Sequence, residues 1–149
     1  MAKISKAFLQ IKVFIDSDVV ISSLLSQTGA SNLIVNNADL RSFISNFSHE
    51  ELNRTVDKLG IDKNKLERIL KTRLKIIKIK LDKEKILDRF ASYTNDIKDA
   101  YIVAGAKAAQ AKFLVTFNTK DYKIEKIQQD FGLRVILPGE LLQYLRSIY

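Results

Sequence analysis

The sequence predicts an α/β protein, a three-layer α/β/α sandwich with a central, mainly parallel sheet. Short runs rich in β-branched and aromatic residues alternate with longer stretches whose apolar residues recur at helical spacing. This alternation is typical of parallel sheets covered by helices on both faces. The 149 residues include only 5 Gly and 1 Pro, so no Gly/Pro-rich linker divides the chain. We therefore expect a single domain over residues 1–149.

The first half of the chain is predicted to supply two strands and four helices. Ser48 and Glu51 have the spacing of a capping box, which predicts that a helix begins there. Gly60 is expected to end this helix, and Asp62 to begin the next. The predicted strands cover 11–15 and 40–44. The predicted helices are one that carries Val19, Val20, Leu24 and Leu25, a short one that holds Leu33 and Ile34, one over 48–59, and one that starts at Asp62 and carries Leu66, Ile69 and Leu70.

The second half is predicted to continue the same alternation. A run of alternating Lys and apolar residues over 74–81 predicts a strand with one wet face. Pro138 suits the first turn of a last helix. The predicted strands cover 74–81, 113–116 and 133–137. The predicted helices are one that carries Ile86, Leu87 and Phe90, and others over 97–111, 121–131 and 138–148.

Composition excludes several classes of catalytic site. The chain has no Cys and a single His, His49. Disulfides, thiolate metal sites and Cys nucleophiles are therefore ruled out, as is catalysis by two His residues. No nucleophile-elbow motif is present, so a Ser–His–Asp triad is not expected. The chemistry is left to carboxylates, hydroxyls, amides and amines.

Charge and the N-terminal residues bear on partners and location. The net charge of +8 favours a polyanionic partner, although a Lys-rich surface also serves solubility alone. Residues 1–5 lack the apolar core of a signal peptide, and the apolar runs are far shorter than a membrane span. We therefore expect a cytoplasmic protein without membrane contact.

Four acids are predicted to converge at one edge of the sheet. Asp16 directly follows the first strand, and ligand sites of parallel sheets lie beyond the carboxyl ends of the strands. Asp121 follows a later strand that ends at Thr116, while Glu51 and Asp99 lie at helix starts. Clustered carboxylates repel one another unless a cation neutralises them, and oxygen ligands suit Mg²⁺ or Mn²⁺. The pattern predicts metal-dependent hydrolysis of a phosphodiester.

Three of these acids also have a purely structural interpretation, because helix starts favour acidic residues. Glu51 can be the capping partner of Ser48, Asp99 can complete a cap with Asp96, and Asp121 can be an N-cap. A carboxylate directly after an apolar strand, as at Asp16, is not needed for folding. The four acids taken together are therefore stronger evidence for a metal site than any one of them alone.

Glu50 and Glu51 compete for one place in the predicted site. Around the helix axis, Glu51 lies about 100° from the core residue Leu52, and Glu50 lies about 200° away. We therefore assign Glu51 to the site and expect Glu50 to face solvent.

A dense run of cations is the candidate binding surface for a polyanionic substrate, although such runs are also often plain solvated surface. Cations that neutralise phosphates make binding dependent on salt. The run consists of Lys71, Arg73, Lys75, Lys78 and Lys80.

Five segments of the sequence together resemble the PIN-domain family of nucleases, in the family's order and over nearly the whole chain from Ile11. The first and fourth segments are the more specific ones. In chain order, the five segments are Val13–Ile21, Glu51–Leu52, Asp96–Asp99, Leu114–Tyr122 and Val135–Leu142.

The resemblance implies a PIN-like ribonuclease fold and site. It implies Asp16, Glu51, Asp99 and Asp121 as metal-binding acids, Thr116 as an orienting hydroxyl, and Asn118 as a polar neighbour. Two departures are notable: Asp18 stands where the family usually has Asn, and the stretch after Thr116 lacks the common Gly-Asp pair.

Small PIN domains that stand alone resemble toxins of VapBC-type toxin–antitoxin pairs. The resemblance therefore also implies a small antitoxin partner and a homodimer. Phe43, Phe47 and Tyr101 are candidates for a partner surface, but aromatic residues at such positions are more often core.

Two other functions fit parts of the sequence. Asp16 and Asp18 match the Asp-x-Asp start of haloacid-dehalogenase-like phosphatases, but no later strand ends in paired acids. A catalytically inactive, RNA-binding PIN-like module is the second alternative, because a fold does not guarantee an activity.

Overall fold

The computed structural model describes residues 10–148, and the predicted absence of a signal sequence concerns residues outside this range. The central sheet has five parallel strands in the order β3-β2-β1-β4-β5. Together with the helices on both faces, it confirms the predicted α/β sandwich. The strands are β1 Ile11–Ile15, β2 Leu40–Ser45, β3 Leu74–Ile77, β4 Phe113–Val115 and β5 Arg134–Ile136.

Eight α-helices connect and cover the strands of the described range. Three short 3₁₀ turns, Ala91–Tyr93, Ile97–Asp99 and Thr119–Asp121, stand in the loops on the site side. The helices are α1 Ser17–Leu25, α2 Ala30–Val35, α3 Asn46–Leu59, α4 Lys63–Thr72, α5 Lys83–Phe90, α6 Ala100–Ala108, α7 Ile124–Phe131 and α8 Pro138–Ile148. Within residues 10–148, no helix combines the length and the apolar character needed to cross a bilayer.

The sheet is buried on both faces, because side chains alternate between two hydrophobic cores. In β1, Val13 and Ile15 face a core built with α1, α2, α3, α4 and α8, whereas Phe14 faces the core formed by α5, α6 and α7. Strand β4 divides its side chains in the same way. Burial on both faces explains why these strands are nearly continuous apolar runs.

Four predicted elements have boundaries that are wrong by two residues or more. Helix α3 begins at Asn46, where the Ser45 hydroxyl accepts the first cap bond from the Ser48 amide, so Ser48 and Glu51 do not form a capping box. The predicted strand over 74–81 stops at Ile77, because β2 offers no partner beyond Ser45. The predicted helix over 97–111 begins as a 3₁₀ turn and ends at Ala108. The helix predicted from residue 121 begins at Ile124.

Gly105 lets α6 lie directly on the central strand. A Cβ at this position would lie 2.5 Å from Cζ of Phe14, whose side chain is fully buried. The Phe14 ring cannot move away without disturbing a densely packed core. The glycine therefore sets the separation between α6 and the sheet, and with it the place of the α6 N-terminus.

We expect Gly105→Ala to lower the free energy of unfolding by about 1–3 kcal/mol, the usual cost of overpacking a core. Gly139→Ala is the matched control, because its added Cβ meets no atom within 4 Å. The control should change stability by less than about 1 kcal/mol, since Ala favours helix. Chemical denaturation measures both. Equal stability of the two variants would contradict the close contact with Phe14.

Candidate active site

Asp16 lies at the centre of the candidate site. It follows β1 and caps α1, and its backbone amide continues the sheet by donating to the Val115 carbonyl at 2.9 Å. Thr116 follows the neighbouring strand β4 and is fully buried. Adjacent parallel strands thus bring the two residues to the same edge, as the sequence predicts.

Three donors fix the Asp16 carboxylate. The Ser17 amide donates to Oδ1 at 2.7 Å, while the hydroxyls of Thr116 and Tyr122 donate to Oδ2 at 2.9 and 3.0 Å. Burial raises the pKa of Asp16, whereas these hydrogen bonds oppose the rise by stabilising the anion. The carboxylate is thereby held in one orientation, with capacity left on Oδ1 for a further ligand.

A second carboxylate, Asp18, is held beside Asp16. Its Oδ2 accepts from the Phe117 amide and from Nδ2 of Asn118, each at 3.1 Å. Its Oδ1 is buried and has no hydrogen-bond partner within the described residues. Burial, and then the charge of Asp16, raise the pKa of Asp18 to about 6. Asp18 thus adds an unsatisfied acidic oxygen to the site.

Asn118 supports the site from the loop after β4. Its amide N–H donates to Oγ1 of Thr116 at 3.1 Å, and its side chain donates to Asp18. It therefore links the hydroxyl that orients Asp16 with the neighbouring carboxylate. Asn118 thus lies next to both Thr116 and Asp18, and its role in the site stays a prediction.

Two paired loops bring Asp99 and Asp121 together. The Asn95 amide donates to the Asp121 carbonyl at 2.8 Å, and the Lys123 amide donates to the Tyr93 carbonyl at 2.9 Å. Asp99 ends the 3₁₀ turn before α6 without making a side-chain cap bond, and Asp96 provides the local cap instead.

The electrostatics of Asp99 show that the predicted acids share one neighbourhood. Burial raises the pKa of Asp99 to about 7, and the next contributions come from negative charges at four other carboxylates. A carboxyl group whose pKa lies near neutrality is costly to ionise without a cation. The four carboxylates, in decreasing order of effect, are Asp16, Asp121, Asp96 and Glu51.

Glu51 reaches the site from α3, in the second helical turn rather than the first. Its Oε2 accepts a long hydrogen bond of 3.4 Å from the Ser17 hydroxyl. Partial burial and the charge of Asp16 raise the pKa of Glu51. Glu50 is exposed, as expected, although it also borders the cleft. Of the two, Glu51 alone is bonded to a residue beside Asp16.

Asp16, Glu51 and Asp99 open into a cleft of about 400 Å³ that also carries cations, whereas Asp121 is not among its lining residues. Arg54, Lys83 and Lys98 line it together with Asp16 and Asp99. The cations come from α3, α5 and the turn before α6, so no motif in the sequence joins them. They are functional candidates that the sequence analysis missed, as is Tyr122.

Aromatic side chains form part of the cleft wall. The rings of Phe47 and Tyr101 lie 5.1 Å apart, and both line the cleft. Phe43, in contrast, is buried in the core on the α6 side of the sheet. Two of the three aromatic residues considered for a partner surface therefore border the site.

The basic run is divided between opposite ends of the sheet. Lys71, Arg73 and Lys75 lie where β3 begins, at the end away from Asp16. Lys78 and Lys80 lie beyond the other end of β3, next to Ile79, whose amide donates to Asn46 at the start of α3. The run is therefore divided between the two ends of β3.

The donor set suits a hard divalent cation, but the side chains do not form a ready-made metal site. Within residues 10–148, no three His or acidic side chains are arranged to ligate one ion. The available atoms are carboxylate oxygens, which Mg²⁺ and Mn²⁺ prefer. The unpartnered Asp18 Oδ1 and the raised pKa of Asp99 indicate a site that a positive charge would stabilise.

The fold and the site together define a class of protein. Its members are parallel α/β sandwiches with an acidic cleft at the carboxyl edge of the sheet. The family model described as PIN domain matches residues 12–120. The chain belongs to the PIN-domain family. No curated protein matches the chain significantly. The phosphatase interpretation loses its support, because the whole arrangement is that of another family.

Several solved structures share the fold at low sequence identity. VapBC2 from Rickettsia felis, bound to a DNA fragment from its promoter, has a TM-score of 0.62 at 19% identity over 85% of this chain and 98% of that one. A toxin–antitoxin complex from Klebsiella pneumoniae has a TM-score of 0.62 at 21% identity, over 85% of this chain and 97% of that one. VapBC-1 from nontypeable Haemophilus influenzae has a TM-score of 0.56 at 16% identity, over 87% of this chain and 99% of that one. These likenesses concern the fold.

Proposed function

We propose that this protein is a Mg²⁺- or Mn²⁺-dependent endoribonuclease that hydrolyses RNA phosphodiester bonds in the cleft around Asp16. The observation that carries the proposal is the Asp16 carboxylate, which Thr116 and Tyr122 hold at 2.9 and 3.0 Å beside a cleft that Glu51 and Asp99 also line. An acidic centre in a chain of net charge +8 suits a polyanion that cations hold at the rim. Membership of the PIN-domain family supports the same activity.

Asp16, Glu51, Asp99 and Asp121 are the proposed metal ligands. A bound divalent ion would supply a deprotonated water and neutralise the developing charge on the phosphate. Thr116 and Tyr122 orient Asp16 through its Oδ2, leaving Oδ1 the less occupied oxygen. The preset carboxylate avoids reorganisation when the substrate arrives.

The cations of the cleft are proposed to position the substrate. Arg54, Lys83 and Lys98 lie among the residues that line the cleft with Asp16, so they can hold the phosphates that flank the reacting one. Arg54 offers the planar donors that pair with phosphate oxygens, and the lysines provide point charges. Phe47 and Tyr101 offer ring faces to an unstacked base of single-stranded RNA.

The test is hydrolysis of single-stranded and stem-loop RNA by the purified protein with Mg²⁺, with Mn²⁺ or with a chelator. Cleavage that requires metal and is lost in Asp16→Asn supports the proposal. Equal cleavage in chelator would contradict the metal requirement. RNA binding without cleavage under every metal condition would favour the inactive, RNA-binding module instead.

Glu50 and Glu51 provide a matched pair for locating the active carboxylates. We expect Glu51→Gln to lower the cleavage rate by about tenfold or more, because a charged ligand beside Asp16 is lost. Glu50→Gln should change the rate by less than about twofold. Initial rates at saturating Mn²⁺ measure both. The reverse order of the two effects would remove Glu51 from the proposed ligands.

The biological role that we propose is that of a toxin held in check by a small antitoxin protein. The structural likeness to three toxin–antitoxin complexes supports this role. We further propose a homodimer that acts in the cytoplasm, where RNA is available. Growth arrest on expression, relieved by co-expression of a short neighbouring gene, is the expected result. Unimpaired growth with a catalytically active protein would favour RNA processing.

A further inference from the structure

Phe117 is the most exposed aromatic side chain in the part of the chain that the structure describes. Its exposed fraction is 45%, whereas the other aromatic residues between 10 and 148 are buried or partly buried. It belongs to neither hydrophobic core. Covering a Phe ring is strongly favourable, so a ring left in water forgoes a large stabilisation. The ring is therefore available to a ligand.

Phe117 stands beside Asp16 at the carboxyl edge of the sheet. Strand β4 pairs with β1 so that Val115 is level with Ile15, and Thr116 is consequently level with Asp16. Phe117 is the next residue on the β4 side, and neighbouring strands lie about 5 Å apart. A nucleotide whose phosphate lies at Asp16 can therefore bring its base to this ring.

A second aromatic group stands on the other side of Asp16, because the sheet order places β1 between β2 and β4. Strand β2 ends at Ser45, level with Asp16, and Phe47 follows in the cleft wall with Tyr101. Phe47 and Phe117 each come two residues after the end of a strand that adjoins β1. Aromatic rings therefore flank the candidate site along the direction that crosses the strands.

The backbone at Phe117 is held independently of the ring. The Phe117 amide donates to Oδ2 of Asp18 at 3.1 Å, and the side chain of Asn118 donates to the same oxygen. Neither hydrogen bond involves the Phe117 side chain. The acidic site thus sets the position from which the ring projects, and the ring can be changed without removing these bonds.

We propose that Phe117 stacks with the base on one side of the phosphodiester that is cut, while Phe47 and Tyr101 hold the base on the other side. The RNA then crosses the ends of β2, β1 and β4 with its reacting phosphate at Asp16. That the ligand is RNA rests on the proposed function, whereas the place of the ring rests on its exposure and on the strand order.

This arrangement determines which RNA is accepted. In a duplex the bases stack on one another, so two bases that stack on protein rings must come from a single-stranded region. Every base has a face that can stack on an aromatic ring. Phe117 is therefore expected to select for unpaired RNA at the cut position without selecting strongly for one base.

The test compares Phe117→Ala with Phe117→Tyr, which keeps an aromatic ring, and with Leu59→Ala as a control. Leu59 is 54% exposed and lies at the opposite end of α3 from Phe47. Thermal melting checks that every variant is folded. The substrate is a short single-stranded RNA that the wild-type protein cuts at one position. Two further versions of this RNA lack the base on one side or on the other side of that position.

On the intact RNA, Phe117→Ala should lower kcat/KM by about tenfold or more, the size of the effect when one base loses its stacking partner. Phe117→Tyr and Leu59→Ala should stay close to the wild-type value. One of the two RNAs that lack a base should be cut equally well by the wild-type protein and Phe117→Ala, because the missing base is the one that the ring contacts. On the other RNA the difference should persist.

A second measurement does not depend on cleavage. In the Asp16→Asn background, the protein is mixed with short RNAs that each carry 2-aminopurine, a base whose fluorescence is quenched by stacking, at a different position. At one position, quenching on binding should disappear when Phe117→Ala is added and should be kept with Phe117→Tyr.

The outcomes separate this inference from the proposed function. Quenching that requires the Phe117 ring, in a protein that never cleaves RNA, contradicts only the nuclease activity. Cleavage that Phe117→Ala leaves unaltered, an equal loss in Leu59→Ala, or a loss that persists on both RNAs lacking a base would overturn the inference. If Phe117→Ala cleaves RNA normally but escapes inhibition by an antitoxin, the occupant of the ring is a protein and the inference fails.

Discussion

Asp16→Asn is expected to lower RNA cleavage by about a thousandfold or more while leaving the protein at least as stable. The loss follows because the central charged ligand disappears, and several kcal/mol of transition-state stabilisation correspond to this factor. Stability is kept because the ionised carboxylate is buried among other acids, so its negative charge opposes folding.

The hydrogen bonds around residue 16 can survive the substitution. The Asn carbonyl can accept from the Ser17 amide, while its amide group donates to the hydroxyls of Thr116 and Tyr122, which then reverse their roles. Cleavage rates and chemical denaturation of the same preparation provide the two readouts. A variant that is clearly less stable would show that Asp16 is primarily structural.

Metal-free protein is expected to lose stability as the pH rises from about 5 to 8. Asp18 and Asp99 have folded pKa values of about 6 and about 7, above the ordinary 3.8. Their contribution to stability is therefore complete at acid pH and is lost as each group ionises in the folded state. Both side chains are only partly buried, so solvent screening keeps the loss well below the full value of about 1.4 kcal/mol per pKa unit.

A divalent cation should reverse this trend. Mn²⁺ competes with protons for the same oxygens, so the Tm increase that it causes should be larger at pH 8 than at pH 5. Asp99→Asn should flatten the metal-free profile, whereas Asp88→Asn, an exposed acid on α5, should not. Differential scanning fluorimetry across the pH range measures all three proteins. A Tm unaffected by Mn²⁺ at pH 8 would contradict a metal site among these carboxylates.

The sequence predicted the boundaries of an element most accurately where the residues of that element alone determine them. The bounds of β1 and α8 are as predicted, because a two-sided core and an initial Pro leave little freedom. The N-terminus of α3 was misplaced because two serines three residues apart both suit a cap, and the strand ends directly at the first of them. The length of β3 depends on its neighbour, which local sequence does not contain.

The candidate site was predictable to the extent that it follows strand ends. Asp16 and Thr116 are adjacent because parallel strands place them so, and this topology was inferred from the alternation of elements. The cations Arg54, Lys83 and Lys98 come from three separate elements, so only the packed structure brings them to one cleft. The division of the basic run likewise depends on the direction of β3.

The bonds that hold Asp16 connect distant parts of the chain: the Thr116 and Tyr122 hydroxyls are 100 and 106 residues away in sequence. During synthesis, domains fold as their residues leave the ribosome, N-terminal parts first. A nascent chain that ends before β4 lacks both hydroxyls and Asp121, so its first acid is present but not oriented. The Asp16 carboxylate is therefore oriented only late in translation. For the proposed ribonuclease, the site is therefore completed only after most of the chain has been translated.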